Sequence, residues 1–163
     1  MAARLRYRSP LGPLTVEATE AGVFAIAFRD GGPTRLGPSA RAREALLATQ
    51  DALAAYFGGR PPAPLPPLDL RGTEFQRAVW AALLRIPWGE VRTYGEIAAA
   101  LGRSGGARAV GGAGHDNPVA LLVPCHRVVQ ASGRLGGYAA GLDVKRWLLA
   151  HEAAHAPALR APA

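Results

Sequence analysis

The sequence contains very little cysteine: Cys125 is the only one in 163 residues. A single cysteine cannot form an internal disulfide bond, and it excludes any zinc site that needs two or more cysteines. No apolar run reaches the roughly 18 residues of a transmembrane helix, and the N-terminal segment lacks the apolar core of a signal peptide. We therefore expect a cytoplasmic protein without a membrane segment, whose stability comes from packing.

Lysine is almost absent as well, because Lys145 is the only lysine among 19 basic residues. The formal net charge is +7 and the sequence pI is about 10.7. Such a charge favours an acidic partner, for example nucleic acid. The arginines are scattered along the chain rather than gathered in a tail, and a solvated basic surface explains them equally well. Charge alone does not assign a function.

Residues 1–70 predict a small α/β lobe. Short apolar segments separated by turn signals predict an antiparallel sheet of two or three strands. Ser39 is placed to cap a helix over Ala40–Phe57, where apolar residues recur at helical spacing. Residues 58–72 contain five prolines, which predicts an extended linker at the end of this lobe.

Residues 71–154 predict a second, mainly helical lobe. Thr73 and Thr93 each begin a capping box, in which a Gln or Glu stands three residues later. The second box starts a short helix that ends near Leu101, and a glycine-rich helix over residues 105–113 follows. Two short helices joined by a tight turn match the outline of a helix-turn-helix.

The end of the chain predicts one more helix and a tail. Asp143 is a good N-cap for a helix that carries apolar residues up to Glu152. Residues 155–163 are expected to form a disordered tail.

The glycine-rich helix carries a single charged residue, Arg108. Each glycine in a helix interior costs about 1 kcal/mol relative to alanine, so this composition needs a reason. A surface nearly free of side chains lets the backbone approach another surface closely, and a DNA groove is one candidate. Close helix packing, or a loop in place of the helix, explains the same residues.

The single cysteine lies in the segment NPVALLVPCHR, residues 117–127. The apolar residues 119–123 predict a strand that Pro124 ends, because proline lacks the N–H that a strand ladder needs. Cys125 and His126 would then lie on a turn, where adjacent side chains can serve one site. A thiol near an imidazole is typical of a sulfur nucleophile, although a lone cysteine can also be inert packing.

Several motifs occur together in residues 72–152: GTEFQRAVW, IPWGEVRTYGEIA, ARAVGGA, NPVALLVPCHRVV, GGY and KRWLLAHE. In this order and spacing they resemble the O6-alkylguanine-DNA alkyltransferases, also called methylated-DNA–protein-cysteine methyltransferases. The resemblance implies an α+β fold. It has a small N-terminal α/β lobe, with a short antiparallel sheet plus a helix, and a mainly helical C-terminal lobe with a helix-turn-helix.

The same resemblance implies four catalytic residues. Cys125 is the implied alkyl acceptor, and His126 takes its proton through a water. Glu152 orients and polarises the histidine, and Asn117 braces the turn that carries the cysteine. The arrangement is chemically reasonable because a carboxylate stabilises the imidazolium that forms when histidine deprotonates a thiol.

The resemblance also implies how DNA is bound. Arg108 would enter from the minor groove and fill the gap left by an extruded nucleotide. Tyr94 would crowd the target phosphate and help to rotate the base. Ala107, Gly111 and Gly112 would lie against the DNA, because small residues allow a close approach.

The flipped guanine is expected between Tyr94, Val128 and the loop around Tyr138. The backbone carbonyls of Cys125 and Val128 would accept hydrogen bonds from the guanine amino group. The backbone N–H of Ala139 would face O6 and stabilise the leaving base.

The implied function is direct repair of double-stranded DNA by irreversible transfer of an alkyl group from O6-alkylguanine, and from O4-alkylthymine, to Cys125. No metal or organic cofactor is needed, because the alkyl group comes from the lesion. We expect a monomer and leave cooperative binding along DNA open. The alternatives are an alkyltransferase-like protein that binds lesions without repairing them, a Cys-His-Glu hydrolase, and a DNA-binding regulator.

Overall fold

The computed structural model describes residues 2–157. Most of the predicted disordered tail, residues 158–163, lies outside the described residues. Residues 155–157 have a defined position, and the carbonyl of His155 accepts a hydrogen bond from Trp88 Nε1 at 3.3 Å. Within the described part of the chain, no helix is both long and apolar enough to cross a membrane.

The N-terminal lobe is a three-stranded antiparallel sheet covered by one helix. The strands are β1 (Ala3–Ser9), β2 (Gly12–Thr19) and β3 (Gly22–Ala27), in the spatial order β1-β2-β3. Helix α1 (Ala40–Phe57) packs on this sheet, and the Ser39 side chain accepts from the N–H of Ala42 as its cap. The predicted sheet and helix are therefore confirmed.

The edge of β3 that faces away from β2 is paired with two later segments. Val23 donates its N–H to Pro67 O at 2.8 Å and accepts from the N–H of Asp69 at 2.8 Å, so the end of the proline-rich linker runs along this edge. Ile26 donates to Pro118 O at 2.9 Å. The N-terminal sheet thus directly contacts the loop that leads to Cys125.

The C-terminal lobe is mainly helical, and the mixed α+β fold class is confirmed. Its elements are α2 (Glu74–Leu83), β4 (Arg92–Thr93), α3 (Tyr94–Ala100), α4 (Ala107–His115), a 3-10 turn (Cys125–Arg127), β5 (Val128–Val129) and α5 (Leu142–Ala154). Both predicted capping boxes are present, at Thr73 and at Thr93. The short strands β4 and β5 pair in parallel and join α3 to the cysteine turn.

Two helix starts differ from the prediction. Helix α4 begins at Ala107 rather than at residue 105, because Gly105 has φ +83° and belongs to the turn after α3. Helix α5 begins at Leu142, with Gly141 rather than Asp143 at its N-cap position. Asp143 lies in the first turn instead, where its carboxylate pairs with Arg146 at 3.0 Å.

The predicted strand over residues 119–123 is wrong. Only Val119 forms a bridge, to Ile26, and the chain then turns, with Leu121 at φ +72°. The loop satisfies its own backbone groups, since Val123 donates to Val119 O at 3.0 Å. Apolar residues at these positions are buried core rather than ladder partners, a distinction that a short apolar run does not make.

Candidate active site

The loop that carries Cys125 is closed by the side chain of Asn117. Its Oδ1 accepts from the N–H of Val119 at 3.0 Å, and its Nδ2 donates to Val123 O at 2.8 Å. The same Nδ2 lies 3.2 Å from Cys125 Sγ. One amide therefore both holds the loop in place and offers a hydrogen bond to the sulfur.

The environment of Cys125 keeps its sulfur protonated. Burial raises the pKa of the thiol, while the Asn117 hydrogen bond and the positive charge of Lys145 act in the opposite direction. Because the thiolate is the nucleophilic form, a base is needed to remove the proton. The neighbouring His126 supplies a candidate.

The His126 ring is completely buried and bound at one nitrogen only. Its Nε2 lies 2.5 Å from Glu152 Oε2, whereas Nδ1 has no hydrogen-bond partner among the described residues. Burial lowers the pKa of His126, so the ring is neutral. Since an ionised carboxylate only accepts, Nε2 carries the hydrogen, and Nδ1 is left as a proton acceptor.

Glu152 is held by three side chains. Besides His126, Arg127 Nε donates to Oε1 at 2.7 Å, and the Tyr56 hydroxyl donates to Oε2 at 2.7 Å. Burial opposes ionisation, but the hydrogen bonds from His126 and Arg127 and the charge of Arg127 outweigh it and lower the pKa of Glu152 to about 2. At neutral pH the carboxylate is therefore an anion behind the histidine.

Lys145 is a further buried charged residue, and the predicted site did not include it. Its Nζ donates to the carbonyls of Val128 at 2.7 Å, of Gly137 at 3.1 Å and of Leu135. The Tyr94 hydroxyl lies 3.5 Å away. Burial lowers the pKa of Lys145 to about 8. This side chain ties the segment after the cysteine to the loop over residues 135–137.

A cavity of about 450 Å³ opens in front of Cys125. It brings together seven of the predicted DNA- and base-binding residues, namely Tyr94, Ala107, Arg108, Gly111, Val128, Tyr138 and Ala139. Gly112 lies on α4 but does not line it, and a Cβ at this position would point into open space. The predicted residues other than Gly112, Asn117, His126 and Glu152 therefore surround one space.

Gly136 allows the loop to close tightly over this cavity. It has φ +72°, and an added Cβ would lie 2.6 Å from the Tyr94 hydroxyl. Both the backbone conformation and the contact require glycine. Arg108, on the opposite side, is exposed and makes no hydrogen bond or ion pair to any residue that the structure describes.

A second cavity of about 330 Å³ shares Cys125 with the first. It lies between the end of β3 and the loops over residues 117–120 and 138–140, and its walls are mostly apolar. Within residues 2–157, no group of three or more His, Cys, Asp or Glu side chains could hold a metal ion.

The two backbone carbonyls that were predicted to bind guanine already have one donor each. Cys125 O accepts from the N–H of Val128, and Val128 O accepts from Lys145. A carbonyl oxygen has two lone pairs, so each can accept a further hydrogen bond.

Comparison with known proteins identifies the family. Residues 74–154 match the model of the 6-O-methylguanine DNA methyltransferase DNA-binding domain. A methylated-DNA–protein-cysteine methyltransferase of Mycolicibacterium paratuberculosis is 48% identical over 159 residues, which cover 94% of this chain and 96% of that protein. The chain belongs to the methylated-DNA–protein-cysteine methyltransferase family.

Solved structures of this family share the whole architecture. The Mycobacterium tuberculosis OGT in complex with DNA superposes with a TM-score of 0.80 at 45% identity, covering 94% of each chain. The O6-methylguanine-DNA methyltransferase of the archaeon Pyrococcus kodakaraensis gives 0.61 at 28% identity, covering 93% of this chain and 99% of that one. The likeness to these methyltransferases extends over the N-terminal lobe, where no sequence motif was found.

Tyr56, Arg127 and Lys145 were missed by sequence reasoning. Arg127 could have been found, because it follows the cysteine and histidine in the motif. Tyr56 lies 96 residues from Glu152, and nothing in its local sequence separates it from an ordinary core tyrosine. Lys145, as the only lysine, was visible in the sequence but carried no signal of its burial.

Proposed function

We propose that this protein repairs double-stranded DNA in the cytoplasm by transferring the alkyl group of O6-alkylguanine, or of O4-alkylthymine, to Cys125. The observation that carries the proposal is the pairing of a cysteine on a cavity wall with a neutral, buried histidine behind it. The curated relatives carry the name of this activity. One chain supplies every residue of the site, so the protein acts as a monomer.

The reaction is an SN2 displacement. His126 Nδ1 accepts the thiol proton through a water, and Glu152 stabilises the imidazolium. The Cys125 thiolate attacks the alkyl carbon, a C–S bond forms, and the bond from carbon to O6 breaks with its electron pair going to the guanine. The base then takes up a proton. The thioether is stable and the cysteine is consumed, so each molecule acts once.

The target base must leave the duplex before this reaction. In a stacked helix, O6 and its alkyl carbon cannot come into line with a protein sulfur. Helices α3 and α4 act as a helix-turn-helix pair that approaches the minor groove, with the glycines of α4 allowing close contact. Arg108, exposed at the cavity mouth, fills the gap in the duplex, and Tyr94 turns the target nucleotide.

Inside the cavity, the protein backbone recognises the base. The carbonyls of Cys125 and Val128 accept from the guanine amino group, and the N–H of Ala139 donates to O6 as negative charge develops there. Asn117 holds the sulfur in position and stabilises the thiolate through its Nδ2.

Residues 1–70 and 71–154 are the proposed limits of the two lobes.

The decisive experiment measures the mass of the protein after incubation with duplex DNA that contains O6-methylguanine. One methyl group should be added to the peptide that contains Cys125, with a stoichiometry of one per chain. Cys125→Ala should abolish the addition while DNA binding is retained. Repeated turnover would contradict the suicide mechanism and favour a hydrolase, and binding without any transfer would favour a lesion-binding protein.

A further inference from the structure

A tyrosine of the N-terminal lobe reaches the buried end of the active site. Tyr56 lies in the last turn of α1, and its hydroxyl donates to Glu152 Oε2 at 2.7 Å. The same oxygen lies 2.5 Å from His126 Nε2. One carboxylate oxygen therefore accepts from the histidine and from the tyrosine at the same time.

The Tyr56 side chain packs against aromatic residues of the C-terminal lobe. It is fully buried, and its ring packs edge-on against Trp88 at 5.1 Å and against His126 at 6.4 Å between ring centroids. Its backbone carbonyl lies 2.6 Å from His151 Nε2 on α5, so both ends of the residue are tied to the C-terminal lobe. Burial, and next the charge of Glu152, raise the pKa of the phenol, which therefore stays protonated and donates.

The orientation of Glu152 depends on more than Arg127. The terminal torsion of a glutamate is broad, and Arg127 Nε holds Oε1 alone. Apart from His126 itself, the hydroxyl of Tyr56 is the second point of attachment, and it acts on the oxygen that faces the histidine. Two fixed donors on different oxygens define the plane of the carboxylate.

We propose that Tyr56 is a positioning residue for alkyl transfer, which holds the Glu152 carboxylate in the plane that keeps His126 Nε2 bound and Nδ1 ready to accept the thiol proton. This inference rests on the proposed roles of Glu152 and His126. It gives the N-terminal lobe a part in the chemistry, although all the site residues predicted from the sequence lie in the C-terminal lobe.

The test uses Tyr56→Phe, which removes one oxygen and keeps the ring. Methyl transfer from O6-methylguanine DNA is measured under single-turnover conditions and should slow by about tenfold, as expected for loss of a hydrogen bond to a charged group. The matched control is Tyr7→Phe, since Tyr7 stacks on the neighbouring Phe57 of the same lobe and lies outside the Glu152 cluster. Thermal melting of each variant establishes that it is folded at the assay temperature.

A second measurement separates positioning from a purely structural role. The rate of Cys125 alkylation by iodoacetamide, followed by mass as a function of pH without DNA, reports how easily the thiol loses its proton. In Tyr56→Phe this profile should move to higher pH, because a misaligned carboxylate stabilises the imidazolium less. A profile that is unchanged, or that moves to lower pH, overturns the proposal whatever happens to the melting temperature.

A double-mutant cycle tests whether Tyr56 acts through Glu152. In a Glu152→Gln background the carboxylate is gone, so adding Tyr56→Phe should change either rate by less than about twofold. Equal effects in both backgrounds would overturn the proposal. The iodoacetamide profile needs no DNA and stays informative even if the wild-type protein failed to accept a methyl group, so failure of the proposed function is recognised separately.

Discussion

Behind Cys125 lies a cluster of buried, mutually hydrogen-bonded side chains, whereas in front of it lies a cavity with one wall almost bare of side chains. The rear cluster consists of Tyr56, His126, Arg127 and Glu152. The front wall is helix α4, Ala107–His115, with three glycines and three alanines in nine residues. Large polar side chains therefore lie on one side of the Cys125 sulfur, and small residues lie on the other.

The difference concerns what each side controls. Under the proposed mechanism, the rear cluster sets the protonation of the thiol, because its members act through short contacts in a medium without solvent. In the same proposal, the front wall decides which molecule can approach, because missing side chains leave room for a backbone or a base. Changes in the rear cluster should alter the reaction of Cys125 with any electrophile. Changes in the front wall should alter the reaction with alkylated DNA alone.

Glu152→Gln should have the largest effect. It removes the anion that stabilises the imidazolium, and general base catalysis of this kind contributes roughly 100-fold or more. Breaking a buried ion pair also costs about 3–5 kcal/mol, because Arg127 loses its partner. Single-turnover methyl transfer and iodoacetamide alkylation should both slow. The control is Glu90→Gln, which breaks the exposed pair with Arg92 and should change neither rate.

The rear cluster should also make the fold sensitive to acid. The pKa of Glu152 is about 2 against its ordinary value of 4.5, so its stabilisation is complete above pH 4.5 and is lost as the pH falls towards 2. The linked loss is about 3 kcal/mol. The depressed pKa of His126 acts in the same direction below pH 6.5. Denaturant unfolding measured across this pH range tests the prediction. In the Glu152→Gln variant, the free energy of unfolding should lack the steepest fall between pH 4.5 and 2.

Contacts between residues that are close together along the chain could be predicted from the sequence, whereas contacts between distant residues could not. Asn117, Cys125 and His126 lie within one short motif, and the capping boxes are local, so both were predicted. Tyr56 and Lys145 owe their roles to packing across the whole fold, which local patterns do not encode. The strand predicted over residues 119–123 was wrong for the same reason. The apolar residues correctly indicated burial, but they did not indicate the loop whose internal hydrogen bonds satisfy the backbone.

Arg108→Ala should impair the reaction with DNA without changing the reactivity of the Cys125 thiol. With no arginine to fill the duplex gap, the cost of unstacking, a few kcal/mol, is less well compensated, and methyl transfer from duplex DNA should slow by about 30-fold. Iodoacetamide alkylation should be unchanged. Arg41→Ala removes the same charge from an exposed position on α1 and controls for net charge. If Arg108→Ala slowed the iodoacetamide reaction equally, the separation between front and rear would be wrong.

Lys145→Met should affect both the rear cluster and the front cavity, because it removes a charged donor from several carbonyls. We expect iodoacetamide alkylation and lesion binding each to weaken by about tenfold. Loss of the positive charge raises the pKa of Cys125, so the iodoacetamide profile should move to higher pH. Loss of the contacts to Leu135 and Gly137 should loosen the loop over the base and weaken lesion binding. Arg146→Met, one residue away and exposed, is the matched control. An effect on lesion binding alone would assign Lys145 to the front side only.

Gly112→Ala gives the smallest and sharpest contrast, because stability and function should move in opposite directions. A Cβ at this position meets no atom within 4 Å, so the helix should gain up to about 1 kcal/mol in a denaturant titration. If DNA approaches this bare surface, the added methyl group should weaken binding to duplex DNA by about threefold while leaving iodoacetamide alkylation unchanged. A variant that is more stable and binds DNA as tightly as before would show that the glycine at this position serves neither side.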